Sequence, residues 1–150
     1  MNYTLTYDQW MACLCIWREA RGASIQAMTA IYNVMLNRSN DARNRWPKTL
    51  PAVITEHHPI KSGRVIYQFS SFAADDPNVV KFPMPPSPGA PSNPDWEAFL
   101  KCIAAVTAPL GADPTDGATN YESCKPGELP KWADPAKMTT EIGPFRFYKL

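Results

Sequence analysis

A carboxylate stands immediately before a helix stop in the run Trp17-Arg18-Glu19-Ala20-Arg21-Gly22. A glutamate in a last helical turn meets the partial negative end of the helix dipole, which favours its protonated form. Desolvation by a neighbouring tryptophan acts in the same direction. A carboxylic acid that keeps its proton near neutral pH is a general acid, the group that protonates a leaving oxygen when a glycosidic bond breaks. Arg18 and Arg21 oppose this reading, because a guanidinium close to the carboxylate lowers its pKa. A Glu between two arginines is also, in most proteins, a solvated surface residue. The chemistry of Glu19 therefore depends on where those two arginines point.

The other reactive side chains are less organised. Cys13-x-Cys15 is too short for the two-residue spacing of zinc sites, and Cys102 and Cys124 form no second close pair. Cys13 and Cys102 fall on helical faces and read as small core residues, although a disulfide between helices stays open. His57 and His58 are adjacent, so their rings diverge rather than converge on one ion. The expectation is no metal and no organic cofactor.

The elements that must position Glu19 follow from periodicity. Trp10, Cys13, Leu14 and Trp17 recur at i, i+3, i+4, i+7, the spacing of a buried helical face. Thr6 with Gln9 three residues later forms a capping box, and Gly22 suits a left-handed residue at the far end. Ser24 then caps a second helix to about Asn37, with Met28, Ile31, Tyr32 and Met35 on its inner face. A short helical turn is expected over Leu50 to Glu56, with Pro51 at its start, and an extended segment over Arg64 to Phe72. Residues 74 to 94 contain seven prolines, too many for a helix interior or a central strand. Asn93-Pro94-Asp95 opens a further long helix in the preferred order of cap, proline and acid. Trp96, Phe99, Leu100, Ile103 and Val106 form its inner stripe, and Pro109-Leu110-Gly111 stops it. From Asp113 onward there are turn residues and aromatic clusters but no helical period. The pattern predicts an α+β fold, mainly helical, with short extended segments.

Composition bounds the function. The chain of 150 residues fits one domain with one core, and 45% hydrophobic with 11% aromatic residues describes a globular protein. A net charge of +1 argues against a nucleic-acid partner that needs a strongly basic face. No apolar run approaches the length of a membrane span, and the first residues lack the basic and apolar regions of a secretory signal. The expectation is a monomer synthesised in the cytoplasm without stable membrane insertion.

Six segments acquire meaning together: Glu19-Ala20-Arg21-Gly22, Asn33 to Arg38, Val65 to Phe72, Asp113 to Tyr121, Lys131-Trp132-Ala133, and Ile142-Gly143 through Phe147-Tyr148. Their order and spacing over roughly residues 8 to 148 resemble the cell-wall hydrolase family typified by the spore-cortex-lytic enzymes. The motifs of that family are E-A-R-G, V-L-N-R, Q-F-S, D-P-T-x-G-A, P-x-W-A and I-G-x-x-x-F-Y. The resemblance implies a lysozyme-like single domain over residues 1 to 150 that cuts peptidoglycan glycan strands. It assigns the catalytic glutamate to Glu19 and places Gln68 and Ser70 along the sugar groove. Asn120 and Tyr121 would orient Glu19 or an N-acetyl group, and Tyr148 would hydrogen-bond the catalytic carboxylate. This chain departs from the family in having Ala23 after E-A-R-G, and Ala118-Thr119-Asn120-Tyr121 where relatives more often read A-L-Y-F.

Two routes from Glu19 stay open. A hydrolase needs a second carboxylate across the cleft, for which Asp75, Asp76, Asp116 and Glu122 are candidates. Without one, Glu19 returns as a base and the muramic acid 6-hydroxyl closes onto C1, the lytic transglycosylase reaction towards which the resemblance leans. By analogy the context is a phage endolysin that reaches the wall after holin-type release. The alternative from another class is a peptidoglycan-binding module that has lost its chemistry, with Trp96, Trp132, Tyr67 and Tyr121 serving as stacking or core residues.

Overall fold

The computed structural model describes residues 3–123 and 129–150. The chain runs through helices α1 (Tyr7–Ala20), α2 (Ile25–Ser39) and α3 (Leu50–Ile54), then a hairpin of β1 (His57–Pro59) and β2 (Val65–Tyr67). A 3-10 turn at Ser70–Phe72, helix α4 (Pro94–Thr107) and strands β3 (Asn120–Ser123), β4 (Met138–Ile142) and β5 (Phe145–Tyr148) follow. This is an α+β architecture weighted towards helices.

Helix α1 is the centre of the core, with α2, α3 and α4 all packed against it. Its middle is buried nearly all round: Ala12, Cys13, Cys15 and Ile16 are fully covered, as is the indole of Trp17. A helix apolar on every side belongs inside a protein rather than on its surface, and its small residues let neighbours come close. Cys13 and Cys102 are core thiols as expected, with Cys102 Sγ 3.7 Å from Met28 Sδ. Cys13, Cys15 and Cys102 are free thiols, and Cys124 lies outside the described residues. Trp10, expected inside, sits at the rim and meets Phe99 edge-on at 5.5 Å.

The helix starts follow the sequence signals. Thr6 Oγ1 accepts from Gln9 N–H at 3.2 Å while Gln9 Oε1 accepts from Thr6 N–H at 3.0 Å, a closed capping box. Ser24 caps α2 and Asn93 caps α4 through the same kind of bond. The end of α1 differs from expectation. Gly22 is not left-handed; Arg21 keeps helical angles (φ −58, ψ −25) and the Ala23 N–H closes a turn onto Ala20 C=O at 2.9 Å. The approaching cap at Ser24 redirects the chain without a positive φ. Helix α3 stops at Ile54, two residues earlier than expected, where Thr55 Oγ1 donates to Pro51 C=O at 2.8 Å.

The last third forms a three-stranded antiparallel sheet in the order β3-β5-β4. Helical periodicity could not register it, because its strands are only four or five residues long. On β5, Phe145 and Phe147 turn to the core that α2 bounds, and Tyr148 is buried on the other face. The register sets Asn120 opposite Tyr148, Tyr121 opposite Phe147 and Glu122 opposite Arg146.

Candidate active site

Glu19 is half-buried in the last turn of α1, and its Oε1 accepts the Ser71 N–H at 3.2 Å. That donor lies in the first turn of the 3-10 segment, where backbone N–H groups lack intrahelical partners. The two flanking arginines are both committed elsewhere. Arg18 is buried, with Nη2 donating to Val79 C=O at 2.7 Å, Nε to Lys81 C=O at 3.2 Å and Nη1 to Ser71 C=O at 3.3 Å. Its guanidinium lies 5.0 Å from the Phe72 ring and 5.1 Å from the Phe82 ring. Arg21 covers the Trp17 indole at 4.4 Å and donates to Asn78 Oδ1 and Asp95 Oδ1. Both side chains thus tie the helix end to the proline-rich loop and to α4, and the carboxylate is left facing other neighbours.

Those neighbours are Cys15, one turn earlier, and Tyr121 from β3. Burial first, and then the Glu19 carboxylate, hold the Cys15 thiol well above its ordinary pKa. The Tyr121 phenol is raised well above its ordinary value by the same two causes in the same order. Both groups stay protonated, so neither adds negative charge beside Glu19. The Tyr121 ring is held by Phe145 at 5.7 Å, Phe147 at 6.0 Å and Phe69 at 6.4 Å.

Glu19 opens onto a cleft of about 340 Å³. The cleft brings together five of the six residues assigned to the site from sequence: Glu19, Gln68, Ser70, Asn120 and Tyr121. Gln68 and Ser70 are exposed, while the Asn120 amide oxygen accepts from Thr119 Oγ1 at 3.1 Å. Tyr148 is placed differently. It is fully buried and its hydroxyl donates to Glu122 Oε1 at 3.1 Å, not to Glu19. The register explains this: Glu122 pairs with Arg146, and Tyr148 is the diagonal neighbour on the same face.

Of the four candidate second carboxylates, the fold brings only Glu122 into the cleft with Glu19. It lies 3.6 Å from Arg146 Nη1 and is almost fully covered. Asp75 pairs with Arg64 on the surface, Asp76 caps the Asn78 N–H at 2.7 Å, and Asp116 occupies a turn at φ +52. Trp132 also lines the cleft, 38% exposed and perpendicular to the Tyr148 ring, so part of its surface stays open to the cleft.

Arg38 is a cleft residue that sequence reading passed over. It is buried at the end of α2, with Nε donating to Thr119 C=O at 2.6 Å and its guanidinium stacked 4.2 Å from the Trp46 ring. Burial lowers its pKa to about 10. Beside it, Asn37 Nδ2 donates to Ala118 C=O at 2.9 Å and to Asp113 Oδ2 at 2.8 Å. Asp113 in turn accepts from Thr115 N–H, Thr115 Oγ1 and Gly117 N–H. The Asn-Arg and Asp-Pro-Thr motifs are therefore one clamp that delivers Asn120, Tyr121 and Glu122 to the cleft. The signal was present in the motifs, but only their contact across more than 70 residues shows what they do.

The sequence model of the family described as Cell Wall Hydrolase matches residues 22–148. Glu19 stands three residues before that span. Comparison with curated proteins and with solved structures gives no match. The cleft and the clamp that builds it both draw on motifs inside the matched span, and the chain belongs to the cell wall hydrolase family, enzymes that degrade peptidoglycan.

Proposed function

We propose that the chain cleaves the β-1,4 bond between N-acetylmuramic acid and N-acetylglucosamine, with Glu19 as general acid and as a lytic transglycosylase. The observation that supports this most is the commitment of the two flanking arginines: Arg18 and Arg21 are bonded elsewhere, Cys15 and Tyr121 beside Glu19 remain neutral, and Arg38 in the same cleft is held by Thr119 C=O. Glu19 gives its proton to the glycosidic oxygen, the bond from C1 to that oxygen breaks, and N-acetylglucosamine leaves with a free 4-hydroxyl. Positive charge develops at C1 and the ring oxygen. Glu122, held by Tyr148 and Arg146, supplies negative charge along the cleft wall during this step. The Glu19 carboxylate then takes the proton of the muramic acid 6-hydroxyl, whose oxygen bonds to C1. The product is a 1,6-anhydro end, no water is consumed, and Glu19 is protonated again.

Gln68, Ser70 and Asn120 offer hydrogen bonds to sugar hydroxyl and acetamido groups, and Trp132 offers a stacking face. A hydrolytic muramidase is the second reading, supported by the presence of Glu122 in the same cleft. Mass spectrometry of the fragments from purified peptidoglycan separates the two. Anhydro-muramic ends are expected, and reducing ends heavier by one water would overturn the transglycosylase route. Binding to walls without any fragment would instead favour a non-catalytic module. The endolysin context, with cytoplasmic synthesis and release to the wall, belongs to the same proposal. Among the described residues no helix is long and apolar enough to cross a membrane.

A further inference from the structure

Beyond Tyr67 and Ser70 the cleft wall borders a second hollow of about 250 Å³, which shares both residues with the first. Its lining is apolar at Ile66 and Ala73 and charged at Arg64, Asp75 and Asp76, the last of which is engaged with the Asn78 N–H. Arg64 Nη2 and Asp75 Oδ2 lie 3.4 Å apart, with both side chains 71% exposed. So exposed a pair adds little to the fold, and its charges can exchange one another for ligand charges at small cost.

We propose that this hollow binds the stem peptide of the substrate. The inference rests on the glycan-cleaving reading of the first cleft. The peptide hangs from the lactyl ether of the same N-acetylmuramic acid whose C1 would lie beside Glu19, so it must leave the cleft sideways. It carries small methyl side chains, free carboxylates and, at its diamino acid, an ammonium group. Methyl groups fit the Ile66 and Ala73 lining, a carboxylate fits Arg64 and an ammonium fits Asp75. Gln68 and Ser70 would hold sugar, while this pair reads whether the sugar bears a peptide.

The test compares kcat/KM on intact peptidoglycan with that on the same material stripped of stem peptides by an amidase, for the wild type and for Arg64→Ala/Asp75→Ala. Both substitutions are at the surface, so folding is expected to survive, and circular dichroism checks it. The wild type is expected to prefer the intact polymer about fivefold, the size of two exposed charge contacts. The double variant is expected to bring that ratio close to one. Equal rates of the wild type on both substrates would overturn the peptide assignment and leave glycan cleavage standing. A preference that persists in the double variant would remove it from this hollow. Failure to cut either polymer would overturn the cleavage reading and this inference with it.

Discussion

Glu19 accepts a hydrogen bond from the Ser71 N–H and shares its surroundings with a thiol and a phenol that stay neutral. The helix-end position was legible from the E-A-R-G run, but the direction of the two arginines was not. Their hydrogen-bond partners, Ser71, Val79, Lys81, Asn78 and Asp95, lie at least 53 residues away along the chain. Arg38 shows the same limit. As the last member of the Asn33 to Arg38 motif it was visible, yet its contact with Thr119 spans 81 residues. Arg38→Ala is expected to lower unfolding free energy by about 2–4 kcal/mol, because it leaves a buried carbonyl without its donor and removes a stacked guanidinium. Arg38→Lys is expected to recover less than half of that loss, since an ammonium cannot reproduce the planar stack on Trp46. Urea unfolding of the two variants measures both effects, and a wild-type midpoint for Arg38→Lys would contradict this account of the stack.

The turn around Asp113 is the element on which the cleft wall hangs. Its carboxylate takes hydrogen bonds from Asn37, Thr115 and Gly117. Burial pushes its pKa up, but those bonds together draw it below the ordinary carboxylate value of 3.8. A depressed folded-state pKa means that the stabilisation is complete above the unfolded value and is lost as pH falls through the folded one. Asp113→Ala is therefore expected to cost about 2–4 kcal/mol at pH 7. The gap from wild type should narrow steadily below about pH 4. A gap independent of pH, followed by denaturant unfolding from pH 7 to pH 2.5, would show that the carboxylate charge is not what holds the turn. In the same turn Gly117 has φ +81, and a side chain there would meet Lys149 Nζ at 3.1 Å. Gly117→Ala should cost about 1–2 kcal/mol through the left-handed backbone alone, read as a lower thermal midpoint. The three long helices were legible from periodicity and caps, because each signal is local. The β3-β5-β4 sheet was not, because Glu122, Arg146 and Tyr148 acquire a common face only through register.

At the scale of the whole molecule, one core surrounds α1, and its thiols report on that core. Burial raises Cys13 to about 12 and holds Cys15 and Cys102 well above the ordinary thiol value. In a Cys124→Ser background these three are expected to resist a thiol reagent at pH 8 until the core opens, so labelling should track global unfolding. Labelling that runs ahead of unfolding, compared with circular dichroism in the same urea series, would mean that α1 is reachable in the native fold. Composition and motif order were enough to indicate a small α+β enzyme of the wall-degrading kind, since both are properties of the sequence as a string. Which carboxylate shares the cleft with Glu19 was not, because a catalytic pair is assembled by the fold and has no fixed spacing. The central claim is that Glu19 supplies the proton for glycan cleavage, and Glu19→Gln tests it with the bond to Ser71 N–H preserved. Measured on purified peptidoglycan, kcat/KM of this variant is expected to fall by roughly 100-fold or more with an unchanged thermal midpoint. Activity within about twofold of wild type would contradict the account.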